Sequence, residues 1–198
     1  MSETAATFDF TSSMRSLCED IAARVPDFQH LRMEQVAVTF AQARHSALHG
    51  LQAKLTPMRF ENGGLVTRRG RRQWTVRRLF AGEHEILYIL TFYLPRFLDQ
   101  PLREKLITVF HELYHISPRF DGDIRRLDGR YHVHSHSQRE YDRQMGELSE
   151  RYLATRPPEH LWGFLREDFR KLVARHGRVV GVRLPIPRLV PLPNSRSA

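Results

Sequence analysis

The sequence predicts an α+β domain with an N-terminal helix, a twisted mixed or antiparallel β-sheet, and then three helices. Apolar residues repeat at helical spacing near the N-terminus, apolar strand-like runs dominate residues 35–94, and helical spacing returns after Pro95. The 198 residues are 41% hydrophobic and 27% charged, which is ordinary for one folded domain with a sizeable core. We expect a single domain over residues 1–184 and a flexible, Pro-rich tail over residues 185–198.

The predicted elements follow one another in a simple order. The first helix covers residues 12–25, with Ser12 or Ser13 as its cap and Pro26 beyond its end. Apolar runs and a turn at 62–64 then predict strands over residues 35–43, 51–60, 65–69, 73–80 and 85–94. Later periodicity predicts helices over residues 100–116, 137–153 and 158–177 and a last strand over 179–184. The predicted caps of the first two of these helices are Asp99 and Ser137, the latter in a capping box with Glu140.

Composition limits the class of protein to which the chain can belong. The single cysteine, Cys18, excludes an internal disulfide bond and a cysteine-rich zinc cluster, which indicates a reducing compartment. The first residues lack the basic and apolar regions of a secretory signal. The most apolar run, residues 86–98, is interrupted by Pro95 and Arg96 and is too short to span a bilayer. The sequence therefore predicts a cytoplasmic protein without a membrane partner, in which His, Asp or Glu would supply any metal ligands.

A net charge of +9 predicts attraction to an acidic partner. The densest basic segment is TRRGRRQWTVRR, residues 67–78, which contains Arg68, Arg69, Arg71, Arg72, Arg77 and Arg78. One interpretation is a solvated hairpin, and the other is a contact with nucleic acid through this hairpin. No recognised nucleic-acid-binding module accompanies the segment, so both interpretations stay open.

The stretch VFHELYHISPRF, residues 109–120, contains the pattern H-E-x-x-H at His111, Glu112 and His115. At 100° per residue, the two histidines lie one turn apart on the side of the helix opposite its apolar stripe, and Glu112 borders that side. The predicted stripe consists of Leu102, Leu106, Val109, Phe110, Leu113 and Ile116. The histidines either bind a metal together or only occupy a solvent-facing side of the helix.

The metal-binding interpretation has a definite chemistry. Two imidazoles at positions i and i+4 are able to bind one Zn²⁺ ion at about 2.0–2.1 Å, with the neighbouring carboxylate close to a water on the metal. Zinc lowers the pKa of such a water towards about 7, so that Glu112 could take its proton and pass it to a leaving amine. This chemistry predicts hydrolysis of a peptide bond. Manganese, cobalt and iron are alternatives to zinc, because histidine ligands accept several of these ions.

A catalytic zinc site normally has three protein ligands, so a third ligand is required. The longer pattern HExxHxxGxxH is excluded, because Pro118 and Asp121 stand where its glycine and third histidine would be. The segment GRYHVHSHSQREYD, residues 129–142, offers three histidines that share one side of an extended chain, namely His132, His134 and His136. Glu140 is a further candidate, although its place in the capping box already explains it.

The sequence HELYHISPRFDGD followed by GRYHVHSHSQREYD resembles a family of small metallopeptidases of bacterial and phage genomes. In that family HExxH is followed by a short loop and then by a histidine just before a helix. The resemblance covers residues 105–142 closely and 36–155 more broadly, and it implies a zincin-like fold with a sheet edge that aligns an extended peptide. It also implies His136 as the third ligand, with His134 as the alternative because of the additional histidines in this segment.

Two functions follow from these patterns. The first is a zinc-dependent metallopeptidase, a hydrolase in which His111, His115 and His136 hold Zn²⁺ and Glu112 is the general base. The second is a nucleic-acid-associated protein that uses the arginine-rich hairpin, with a structural or degenerate metal site. Glu112 distinguishes them, because a structural zinc site has no need of a carboxylate beside its first ligand.

Overall fold

The computed structural model describes residues 7–43, 50–126 and 138–193. Its α-helices are α1 (Phe10–Arg24), α2 (Leu102–Tyr114), α3 (Gln138–Ala154), α4 (Glu159–Trp162) and α5 (Phe169–His176). Its strands are β1 (Phe8–Asp9), β2 (Val36–Gln42), β3 (Ala53–Pro57), β4 (Val66–Arg69), β5 (Arg72–Val76), β6 (Leu79–Ala81), β7 (His84–Ile86), β8 (Tyr88–Leu94), β9 (Val179–Val180) and β10 (Leu189–Pro191). The predicted α+β class is confirmed, but the strands form several small sheets.

The central sheet is mixed and has the strand order β2-β8-β3. Strand β8 runs parallel to β2 and antiparallel to β3, with Leu90 opposite both Val38 and Leu55. Six of the seven residues of β8 are buried, which agrees with its nearly continuous apolar sequence. Because β8 is covered by a strand on each side, β2 and β3 are the edges of this sheet.

The main core lies between this sheet and the helices. Phe10 of α1 contacts the rings of Phe92 and Phe97 at centroid distances of 5.7 and 6.1 Å. In the same core, Phe110 of α2 packs against Phe28 at 5.5 Å and against Tyr152 of α3 at 6.0 Å. The sheet and helices α1, α2 and α3 therefore share one continuous apolar core.

Helix α1 begins earlier than the sequence predicted. The Oδ1 atom of Asp9 accepts a hydrogen bond from the Ser12 N–H at 2.9 Å, so Asp9 is the N-cap. The prediction of Ser12 or Ser13 as the cap is therefore wrong, and both serines lie inside the first turn. The predicted end before Pro26 is confirmed, because the helix ends at Arg24.

The prediction of Asp99 as the cap of α2 is also wrong. Helix α2 begins after Pro101 without a side-chain cap, and Asp99 accepts a hydrogen bond from the Phe169 N–H at 3.2 Å. The predicted helix 158–177 is divided into α4, a 3₁₀ turn over Gly163–Arg166, and α5. Asp168 starts α5 by accepting from the Lys171 N–H at 2.8 Å. The capping role predicted for Ser137 lies outside the described residues.

Two predicted strands are divided, and two strands form that the sequence did not predict, β1 and β10. Residues 73–80 contribute to β5 and β6, and residues 85–94 contribute to β7 and β8. The second break lies at Leu87, whose N–H donates to the Gln35 carbonyl at 2.9 Å. In the predicted tail, Leu189–Pro191 forms β10. This strand pairs antiparallel with β5 of the arginine-rich hairpin. In the described part of the chain, no helix is long and apolar enough to cross a membrane.

Candidate metal centre

Helix α2 carries the H-E-x-x-H pattern on the side predicted for it. The apolar stripe at Leu106, Val109, Phe110 and Leu113 is buried, with at most 2% of each side chain exposed. His111, Glu112 and His115 are half-buried on the other side. The separation of the two sides that the sequence predicted is therefore confirmed, and the three polar side chains lie together.

The two histidines face each other across one helical turn. Their ring centroids are 4.6 Å apart and their Nε2 atoms are 2.8 Å apart. Two nitrogen ligands of one tetrahedral zinc, each about 2.0–2.1 Å from the metal, lie about 3.3 Å apart. If the two Nε2 atoms moved about half an ångström further apart, both rings could therefore hold one zinc ion. The donor chemistry of this pair fits zinc.

The end of α2 is fixed by the chain that follows it. The Arg125 N–H donates to the His115 carbonyl at 2.7 Å, and Ile116 forms a β-bridge with Ile124. The returning chain is held by Asp123, a buried carboxylate that accepts from the Asn62 N–H at 3.0 Å and the Ile124 N–H at 2.8 Å. These bonds fix the end of α2, with His115, against the chain that follows it.

Glu112 contacts the edge of the central sheet. Its Oε2 atom accepts a hydrogen bond from the Leu55 N–H of β3 at 2.7 Å. Burial raises the pKa of Glu112 from 4.5 to about 7, and the Leu55 N–H and Lys54 oppose this rise only in part. A carboxylate with such a pKa is suited to accept and release a proton near neutral pH.

The open side of β3 lies beside Glu112. The Gln52 carbonyl accepts a hydrogen bond from the Tyr93 N–H, and the Met58 N–H donates to the Leu87 carbonyl. The backbone groups of the even-numbered residues 52–58 therefore face β8 and the residue before it. Because successive residues of an antiparallel strand alternate, the polar backbone groups of Ala53, Leu55 and Pro57 face the open side. A cleft of about 250 Å³ begins there and is lined by Ala53, His111, Glu112 and Asp142.

Tyr141 of α3 completes the described part of this centre. Its ring lies 4.7 Å from the ring of His111, edge-on, and 6.0 Å from the ring of His115, stacked. Its hydroxyl is buried and has no hydrogen-bond partner among the described residues. Burial raises the pKa of this hydroxyl, so it stays protonated at neutral pH. From the sequence, Tyr141 was a candidate oxyanion donor together with Tyr131 and Arg130, and it also fitted the core stripe of its helix. Tyr131 and Arg130 lie outside the described residues.

The predicted third ligands, His136 and His134, lie outside the described residues. Within residues 7–43, 50–126 and 138–193, no three His, Cys, Asp or Glu side chains form a group that could hold a metal. The centre described here therefore consists of His111, His115, Glu112 and Tyr141. Glu140, the other candidate ligand, forms an ion pair with Arg143 on the exposed side of α3.

The arginine-rich segment forms a hairpin, as its sequence suggested. Strands β4 and β5 pair around Gly70, which has a φ of 61°, and Arg69 lies directly opposite Arg72. The side chains of four arginines at the tip are exposed and form no ion pair with a carboxylate of the described residues, namely Arg68, Arg69, Arg71 and Arg72. Arg78, by contrast, pairs with Glu85. Like charges opposite each other destabilise a strand pair, and a bound anion would relieve this repulsion.

The chain was compared with protein-family models, with curated proteins and with solved structures. It matches none of the three.

Proposed function

We propose that this protein is a zinc-dependent metallopeptidase with a zincin-like fold. The observation that carries this proposal is the hydrogen bond between Glu112 and the Leu55 N–H, because it joins the H-E-x-x-H helix to an open sheet edge. A peptidase needs both parts at one place, a hydrolytic centre and a backbone that aligns its substrate. A structural metal site would need neither the edge nor the carboxylate.

Different residues of the proposed centre bind the metal and transfer the proton. His111 and His115, with His136 or alternatively His134, would hold Zn²⁺, which supplies Lewis-acid polarisation of the peptide carbonyl and lowers the pKa of a water. Glu112 accepts the proton of the attacking water at its carboxylate and transfers it to the nitrogen of the leaving amine.

The substrate is an extended peptide that lies antiparallel beside β3. The outward carbonyls of Ala53 and Leu55 accept hydrogen bonds from its main chain, while its side chains enter the adjacent cleft. When a peptide occupies this edge, Glu112 turns from the Leu55 N–H towards the reacting water.

Metal content tests the centre directly. Protein purified without a polyhistidine tag is expected to contain about one zinc per chain by mass spectrometry. His111→Ala and His136→Ala should each lose it, whereas the exposed His160→Ala serves as a control that keeps it. Loss with His111→Ala but not with His136→Ala would move the third ligand to His134 or Glu140. A folded wild type that takes up no zinc would overturn the proposal.

Glu112→Gln tests the reaction separately from the metal. This variant is expected to bind zinc as the wild type does and to lose cleavage of an unfolded protein such as denatured casein, because it lacks the general base. Cleavage at the wild-type rate would remove Glu112 from the mechanism.

A second candidate function is binding of nucleic acid by the β4–β5 hairpin. The exposed arginines at its tip, which form no ion pair with a carboxylate of the described residues, and the repulsion between Arg69 and Arg72 favour it. We expect binding of DNA or RNA at low salt that weakens steeply as salt rises, and that weakens in the double variant Arg69→Gln, Arg72→Gln. The matched control is Arg143→Gln, Arg151→Gln, which removes two exposed arginines from α3. Absence of binding at low salt would exclude this function.

A further inference from the structure

The second edge of the central sheet, strand β2, is covered at two positions with a gap between them. The Phe40 N–H donates to the Val182 carbonyl at 3.0 Å, and the Arg15 guanidinium donates to the Val36 carbonyl at 3.4 Å. Because successive residues of a strand alternate between its two sides, the N–H and C=O of Val38 face the same side as these two groups. No backbone group of the described residues bonds to Val38 on that side.

A groove of about 370 Å³ lies along this gap. Helix α1 forms one wall with Ser12, and strand β6 forms the other wall with Phe80 and Ala81. Residues 36–38 of β2 lie between the two walls. A single extended chain that enters the groove would therefore reach the backbone of Val38 and pack its side chains against both walls.

The groove continues past Phe80 into a second groove of about 640 Å³. Leu79, Phe80 and Leu184 line both grooves, so the two form one surface. Phe80 is 57% exposed and Ile186, in the second groove, is 53% exposed. Large apolar side chains that are exposed side by side in a groove mark a site of interaction.

The second groove is basic as well as apolar. Arg77, Arg78 and Arg188 line it, and no carboxylate of the described residues does. The Arg78 guanidinium lies over the ring of Phe80 at 5.1 Å, so charge and apolar surface adjoin each other. A basic groove on a chain of net charge +9 attracts an acidic ligand. The ligand that fits both grooves has apolar residues for the β2 gap and acidic residues for the arginines.

We propose that the β2 edge is a docking site for an extended segment of a partner protein. In this segment, apolar residues that pair with β2 are flanked by Asp or Glu residues that reach Arg77 and Arg188. The site is separate from the proposed metal centre, because β2 and β3 lie on opposite sides of β8. Two strand spacings, about 10 Å, separate the docked segment from the strand that contacts Glu112. The inference therefore goes beyond the proposed peptidase function and does not depend on it.

The shape of the surface favours a peptide over other acidic ligands. The gap is walled on both sides and offers main-chain hydrogen bonds, which suit a strand. A bilayer surface is too broad to reach the backbone of Val38. A nucleic acid would contact the arginines and leave the apolar walls of the first groove uncovered.

The test begins with a library of random peptides displayed on phage and selected on the full-length protein, with a chelator present to prevent cleavage. We expect the enriched peptides to combine alternating apolar residues with Asp or Glu. Fluorescence anisotropy then measures the affinity of the synthetic peptides. Ala81→Trp fills the groove from an exposed position and should weaken binding about tenfold or more, whereas Ala154→Trp, at an exposed position of α3, should not. Phe80→Ser removes a wall without adding bulk and should also weaken binding.

The arginines are tested by a second pair of variants. Arg77→Gln, Arg188→Gln should weaken binding of the same peptides about tenfold and make it less sensitive to salt. The matched control is Arg68→Gln, Arg69→Gln at the tip of the β4–β5 hairpin, which should bind the peptides as the wild type does.

Four results would overturn the inference. Selection may enrich no peptide that distinguishes the wild type from Ala81→Trp, or it may enrich basic or uncharged peptides. A dimer of the wild type that Ala81→Trp dissociates, seen by sedimentation, would assign the groove to a second copy of the chain. Binding to phosphatidylserine vesicles that Ala81→Trp abolishes would assign it to a membrane surface. Failure of the peptidase proposal is recognised separately, because these measurements involve neither zinc nor cleavage.

Discussion

The buried carboxylate of Glu112 is expected to destabilise the metal-free protein at neutral pH. Burial raises its pKa from 4.5 to about 7, so between these values the folded chain binds more protons than the unfolded chain. The free energy of unfolding therefore falls as the pH rises through this window, and the whole cost is present above it. A change in pKa of this size corresponds to about 3 kcal/mol.

Replacing Glu112 by glutamine removes the charge and keeps an oxygen that accepts from the Leu55 N–H. We expect Glu112→Gln to raise the free energy of unfolding by about 2 kcal/mol at pH 8, less than the full value because the side chain keeps some contact with solvent. At pH 4.5 the gain should be close to zero. Urea unfolding in the presence of a chelator, followed by circular dichroism at both pH values, measures the difference.

The matched control is Glu104→Gln, which removes a half-exposed carboxylate from the same helix. Its effect should stay within about 0.5 kcal/mol at both pH values. A gain for Glu112→Gln that is equal at pH 4.5 and pH 8, or a loss at pH 8, would refute the reasoning. The buried charge would then not be the origin of the cost.

Three further predictions concern the fold. Asp9→Ala should lower the free energy of unfolding by about 1 kcal/mol because it removes the cap of α1, and Ser13→Ala should change it less; thermal unfolding measures both. Burial lowers the pKa of Lys105 from 10.5 to about 8, so the unfolded chain binds more protons than the folded chain between these values. The free energy of unfolding should therefore rise as the pH increases from 8 to 10. Urea unfolding should show this rise in the wild type and not in Lys105→Met. Thr39→Val should cost about 1–3 kcal/mol by leaving Thr91 unpaired, whereas valine at both positions should cost less, as a double-mutant cycle would show.

Local patterns were enough to predict the helix that carries the candidate centre. The apolar residues of α2 recur at helical spacing, so the positions of His111, Glu112 and His115 relative to the core followed from the sequence. Strand β8 was predictable for a similar reason, since a buried central strand is almost continuously apolar.

Contacts between distant parts of the chain were not predictable in this way. Leu87 interrupts an apolar run that looks uniform, because its N–H bonds to Gln35 in another part of the chain. The hydrogen bond from Leu55 to Glu112 uses the main-chain N–H of Leu55. Every residue except proline has this group, so the identity of residue 55 does not predict the bond. Asp99 was predicted as the cap of α2, yet its carboxylate accepts a hydrogen bond from the N–H of Phe169, the first residue of α5, which lies far away in sequence.

The open edge of β3 has a consequence for the behaviour of the protein in concentrated solution. An unpaired strand edge invites the edges of other molecules and can start aggregation. Here Pro57 presents no N–H on the open side, and Glu112 already occupies the N–H of Leu55. A foreign strand therefore finds few free donors along β3, so this edge resists the growth of a sheet between molecules.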